Sequence, residues 1–196
     1  MMCRLVVFSC LSVLLLAGCG HDKTPKPKAY PRVVFPAKAY RWYDPPGCPY
    51  RFELPVYARA ESDTVFFGET PENPCWLNIQ FPEFNGTINL TYKSVADAAA
   101  FEKMLDDAHK LSFKHAKKAD FIDEARVQNA QGVTGIIFEA GGEAASNFQF
   151  FLTDSTRHFI RGALYFNNEP QADSMAPVYR FVRADLDRMI GSFSWK

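Results

Sequence analysis

Apolar and polar residues alternate with period two along several stretches of the chain. Cys75, Leu77, Ile79 and Phe81 alternate with Trp76, Asn78 and Gln80, and Ile88, Leu90 and Tyr92 alternate with Asn89 and Thr91. That is the signature of half-buried strands. Asn85-Gly86 separates the two runs; both residues tolerate positive φ, so a hairpin turn is expected there. Residues 51–58 form a further strand candidate, with Pro55 marking an edge or a break. The period then changes. Val95, Ala98, Phe101, Leu105, Ala108 and Leu111 recur at three and four residues, one apolar stripe of a helix, after a capping-box-like Ser94-Val95-Ala96-Asp97. Residues 120–125 suggest a short additional helix.

Three more strands follow. Residues 133–140 are rich in β-branched and aromatic side chains and end at Gly141-Gly142. Residues 147–153 and 158–166 flank the turn-forming Asp154-Ser155-Thr156-Arg157. Both faces of this pair are apolar: Phe148, Phe150 and Leu152 oppose Phe151, and Ile160, Leu164 and Phe166 oppose Phe159, Ala163 and Tyr165. Strands of that kind lie inside a sheet covered on both sides. Val178, Phe181, Val182, Leu186, Met189 and Ile190 keep helical spacing, with Pro177 in the first turn and Gly191 suited to the C-cap. The order of elements predicts a single α+β domain, a mainly antiparallel sheet of about six or seven strands packed by two or three helices.

The N-terminus carries a different pattern. Residues 5–16 are apolar and uncharged, follow Arg4, and would span roughly 18 Å as a helix against a hydrocarbon core of about 30 Å. A secretory signal fits that length better than a membrane span. Leu16-Ala17-Gly18-Cys19 matches the bacterial lipobox, so residues 1–18 are expected to be removed and Cys19 to carry diacylglycerol and acyl groups. Each buried methylene contributes about 0.8 kcal/mol, so two or three chains anchor the protein stably. Gly20, rather than Asp, after the cysteine favours the outer over the inner membrane. Residues 19–45 read as a basic, extended tether, with Pro25, Pro27, Pro31 and Pro36 among Lys23, Lys26, Lys28, Arg32, Lys38 and Arg41. Residues 46–196 are the globular part.

Composition narrows the function classes. The chain has 196 residues, with 22 Lys+Arg against 22 Asp+Glu, a balance without the basic face of a nucleic-acid binder. At 47% hydrophobic and 15% aromatic it is no disordered chain. Cys48 and Cys75 remain as a pair in an exported domain, which reads as a structural disulfide worth about 3.5 kcal/mol, the alternative being two buried thiols. His109 and His115 point in different directions on a helix, and His158 follows a turn, so no metal site is expected. Asp106-Asp107 and Asp123-Glu124 read as solvated helical faces. Serine-nucleophile, phosphate-loop and zinc-protease motifs are missing, so no catalytic residue is assigned. Tyr40, Trp42, Tyr43 and Tyr50 are candidate partner-binding aromatics, or a lid on the domain.

Taken together, the motifs resemble the gliding-motility lipoprotein family GldD of Bacteroidetes. The resemblance is carried by Pro25-Lys26-Pro27-Lys28 with Tyr30, and by Cys48-Pro49-Tyr50 with Phe52, Pro55 and Tyr57. Cys75-Trp76-Leu77-Asn78-Ile79 adds to it, as do Pro177-Val178 and Trp195. Its densest part is Gln149-Phe150-Phe151-Leu152-Thr153-Asp154-Ser155, continuing through His158-Phe159 to Arg161-Gly162-Ala163-Leu164-Tyr165-Phe166. It implies a periplasm-facing envelope lipoprotein required for gliding and type IX protein secretion. Its partners would be other components of that machinery and the membrane, and the family has no known catalytic residues. A periplasmic lipid- or glycan-binding module, which needs an apolar pocket beside the sheet, is the alternative. Asp63-Thr64-Val65, Asp154-Ser155-Thr156 and Asp173-Ser174-Met175 resemble the O-glycosylation triplets of exported Bacteroidetes proteins, which makes Thr64, Ser155 and Ser174 candidate acceptors; turn chemistry also explains Asp-Ser.

Overall fold

The computed structural model describes residues 32–62, 71–115, 118–168 and 172–196, so Cys19, Thr64 and residues 19–31 of the tether lie outside the described residues. Val33–Lys196 forms a compact unit. Its strands and helices, in chain order, are β1 (Tyr40–Tyr43), β2 (Tyr50–Pro55), β3 (Arg59–Ser62), β4 (Leu77–Phe81), β5 (Gly86–Ser94), α1 (Ala98–His115), β6 (Ala119–Gln128), β7 (Thr134–Gly142), β8 (Phe148–Thr153), β9 (His158–Phe166), α2 (Ala172–Ser192) and β10 (Ser194–Trp195). The strands form a seven-stranded sheet of order β3-β4-β5-β9-β8-β7-β6 and a three-stranded one of order β1-β2-β10. Every pairing is antiparallel, so the expected α+β class holds.

The alternation read in β4 and β5 is realised as buried and half-buried positions in turn. Between them a 3-10 turn, Pro82–Phe84, ends on Asn85 at φ 50°, while Gly86 already belongs to β5. Only the asparagine needs the left-handed region. β8 is buried at every residue, as its doubly apolar pattern requires. Gly162 in β9 has a steric role: a Cβ there would stand 2.3 Å from the Phe150 ring.

Three expectations are corrected. Residues 120–125 are not helical; they lie in β6, an edge strand with mostly exposed side chains and a register shift between Ala119 and Ile122. Edge strands are charged to discourage pairing, and that charge density hides the strand period. Asp123 and Glu124 therefore sit on a strand rather than a helix. The C-terminal helix begins at Ala172 and runs to Ser192, so Pro177 is inside it and Gly191 is no left-handed cap. The chain from Val33 onward belongs to the compact unit, whereas the tether was expected to extend to residue 45. The cap of α1 is Asp97, whose carboxylate accepts from the Ala100 N–H at 2.8 Å.

Two helices cover the large sheet from opposite sides. α2 buries Val178, Val182, Leu186, Met189 and Ile190 in the main core, together with the small sheet and one face of the large sheet. α1 lies on the other face, where Ala108 meets Phe138, Phe151 and Phe159.

Candidate functional site

The four predicted contact aromatics divide by strand geometry. Tyr40 and Trp42 lie on one face of β1 and Tyr43 on the other. Asp185 and Arg188 of α2 half-cover Tyr40, while Trp42 stays 54% exposed and Tyr43 is half-buried. Tyr43 packs on Phe52 at 5.6 Å between ring centres. Tyr50 is fully buried, donates to the Cys75 carbonyl at 2.7 Å, and has its phenol pKa pushed up by that burial. Tyr50 therefore builds the core and offers no outer surface. What remains outside is Trp42, with the Arg51 guanidinium 5.2 Å from its ring.

Beneath this surface the chain is tied down by one buried carboxylate. Asp185, 1% exposed on α2, accepts from Tyr40 Oη at 2.8 Å and from Tyr57 Oη, and pairs with Lys38 Nζ at 2.6 Å. Burial and the bond to Asp185 raise Tyr40 to about 12 and push Tyr57 up likewise. Both phenols stay protonated at neutral pH and keep donating. Lys38 Nζ also donates to the Phe181 carbonyl at 2.7 Å and lies 3.5 Å from the Phe181 ring centre. Phe35 stacks on the same ring at 4.5 Å. These contacts explain why a Pro-rich, basic segment joins the domain from Val33.

Cys48 and Cys75 are joined by a disulfide, with Cα atoms 5.5 Å apart. The bridge reaches from the approach to β2 to the approach to β4 and so staples the small sheet to the large one. Of the candidate glycosylation residues, Ser155 is exposed at φ 64° in the β8–β9 turn, and Ser174 is half-buried in the first turn of α2. The turn is organised by Asp154, whose Oδ1 accepts from the N–H groups of Thr156, Arg157 and His158 at 3.0, 2.8 and 2.9 Å. Burial works against that charge, but the three donors win and hold the carboxyl at about 2. His158 is shifted down by burial and bonds Tyr92 Oη at 2.8 Å. His109 pairs with Glu124 at 3.0 Å. Among the described residues no three His, Cys, Asp or Glu side chains group as metal ligands.

Sequence reasoning missed a cleft of about 630 Å³ beside α1. Its walls are Ala100, Lys103, Met104, Asp107, Ala108, Lys110, Leu111 and Lys114 on α1, Thr91 and Lys93 on β5, Phe159 and Arg161 on β9, and Trp76. The signal lay in the helix itself: Lys103, Asp107, Lys110 and Lys114 share one flank of the apolar stripe.

Comparison with known proteins now bears on this arrangement. The family model described as gliding motility lipoprotein GldD matches residues 20–195. The chain belongs to the GldD family. GldD membership makes it a gliding-motility lipoprotein associated with the cell envelope. No curated protein matches the chain at significance. Among solved structures, the solution structure of cyanobacterial PsbP (CyanoP) from Synechocystis sp. PCC 6803 is similar at a TM-score of 0.49 and 12% identity, covering 93% of this chain and 99% of that one. Among the described residues no helix is long and apolar enough to cross a membrane.

Proposed function

We propose that this GldD-family chain is a noncatalytic, periplasm-facing subunit, lipidated at Cys19 and held in the outer membrane. It assembles or stabilises the envelope machinery of gliding and type IX secretion by protein contact. The observation that carries this reading is the family match over residues 20–195. The side-chain chemistry supports it: Asp154 and Asp185 spend their oxygens on structural bonds, and His109 and His158 are each engaged by one neighbour. Trp42 over Arg51 is the contact point, because an exposed aromatic beside an arginine suits an interface.

Crosslinking in intact cells, followed by capture of the lipoprotein from membranes, tests the proposal. Co-capture of motility or secretion components is expected, reduced by Trp42→Ala, with palmitate label lost in Cys19→Ala. A capture that yields none of those components would sink the assembly role. Unlabelled wild-type protein would sink the anchor.

A further inference from the structure

The face of the large sheet under α1 changes character across its width. Phe138, Phe151 and Phe159 lie under the helix, whereas Thr91 and Lys93 of β5 face the same side beyond it. The cleft runs along that border. Its position relative to α1 is set by two contacts. Phe101 meets the Phe159 ring at 6.4 Å, which puts the first half of the helix over Phe159. Gln149 donates to the Ser112 carbonyl at 3.5 Å and accepts from Arg161, which puts Arg161 beneath the second half. One end of the cleft is therefore floored by Phe159 and Met104, with Lys93 and Lys103 at its rim, and the other holds Arg161 and Lys114.

Lysines near a helix C-terminus complement the helix dipole and need no ligand to explain them. Arg161 is different. Its guanidinium reaches Gln149 Oε1 through one terminal nitrogen, but its Nε is buried without a hydrogen-bond partner, and burial pushes its pKa down, so its desolvation is only partly offset. Lys110 is paired with Asp106 and Lys93 with Glu72, but among the described residues Lys103 and Lys114 have no such partner. A carboxylate or phosphate entering at that end would meet the orphaned Nε donor of Arg161 and the ammonium group of Lys114.

We propose that this cleft binds an anionic amphiphile, with an acyl chain along Met104 and Phe159 and its headgroup at Arg161 and Lys114. A volume of about 630 Å³ is that of a small-molecule site, roughly 300–1,000 Å³. An acidic peptide fits less well. Extended peptides bind by adding to a sheet edge, and β5 and β9 are interior strands whose backbone groups are already paired.

The test uses the mature lipoprotein in nonionic detergent with a diazirine-bearing palmitate, photolysed and mapped by peptide mass spectrometry. Labelling should concentrate on peptides containing Phe159, Met104 or Leu111. Oleate should compete about tenfold better than neutral monoolein, while inorganic phosphate should not compete. Lys114→Gln, at an exposed position, should cut labelling about fivefold with an unchanged melting curve. Label spread over Trp42, Val56 and Phe121 would overturn the proposal. So would equal competition by monoolein, which leaves only an apolar groove, or competition by phosphate alone, which leaves only an anion site. The assembly role rests on family membership and survives any of these failures.

Discussion

Under α2 the large sheet presents Ile79, Ile88, Leu90, Phe148, Phe150, Leu152, Ile160 and Leu164, none more than 2% exposed. Under α1 it presents Phe138, Phe151 and Phe159, bordered by Thr91, Lys93, Gln149 and Arg161. The first face is closed by a helix and a second sheet together. The second is closed by a helix whose buried positions are Ala108 and Ser112, and Leu111 on its stripe stays 39% exposed. Stability is therefore concentrated on one side of the sheet, and the other side is left with surface to use.

The sharpest way to break that comparison is truncation. Phe150→Ala, on the closed face, should cost about 3–5 kcal/mol by denaturant unfolding, because the void cannot collapse between β8 and α2. A loss under 1 kcal/mol would show that the closed face is not the stabilising one. Next in size is Asp185→Asn, which leaves the Lys38 ammonium without its counter-charge; about 1–3 kcal/mol is expected. Limited proteolysis should then cut within residues 33–39, which wild type protects.

A smaller effect comes with acid. The folded pKa values of Asp154 and His158 both lie below their unfolded values, so between the two the unfolded chain binds more protons and stability falls as pH drops. The His158 contribution is complete above about pH 6.5 and declines below it; the Asp154 contribution declines from about pH 4 toward 2. Melting temperature should drop between pH 7.5 and 5.5, and His158→Gln should flatten that segment only. A slope unchanged by the substitution would assign the effect elsewhere. The smallest change is expected for Leu111→Ala on the open face, within about 0.5 kcal/mol of wild type. A cost above 1.5 kcal/mol would mean that α1 is cemented as firmly as α2.

The elements that sequence reading located share one property: each carries its own period. β4, β5, β8, β9 and α2 bury one or both faces along most of their length, and α1 keeps its stripe toward the sheet, so the pattern of apolar residues follows the pattern of burial. β6 escaped because an exposed edge strand has little to bury. β1 and β10 escaped because short strands offer too few residues to show a period. Of the contact aromatics, chain order could not separate Tyr50 from Trp42, since only the packing of Phe193 and Trp195 around Tyr50 buries it. The cleft's lysines were visible as a stripe, but Arg161 lies far from them in the chain.

Local physics thus decided the class of fold and the hairpins, since side-chain period and turn chemistry are properties of neighbouring residues. Tertiary structure alone decided that β2 leaves the main sheet for a second one, that Lys38 is fastened to Asp185, and that the Nε of Arg161 sits unpartnered beneath α1. Those are contacts between distant segments, and their energies depend on what each segment displaces from water when they meet.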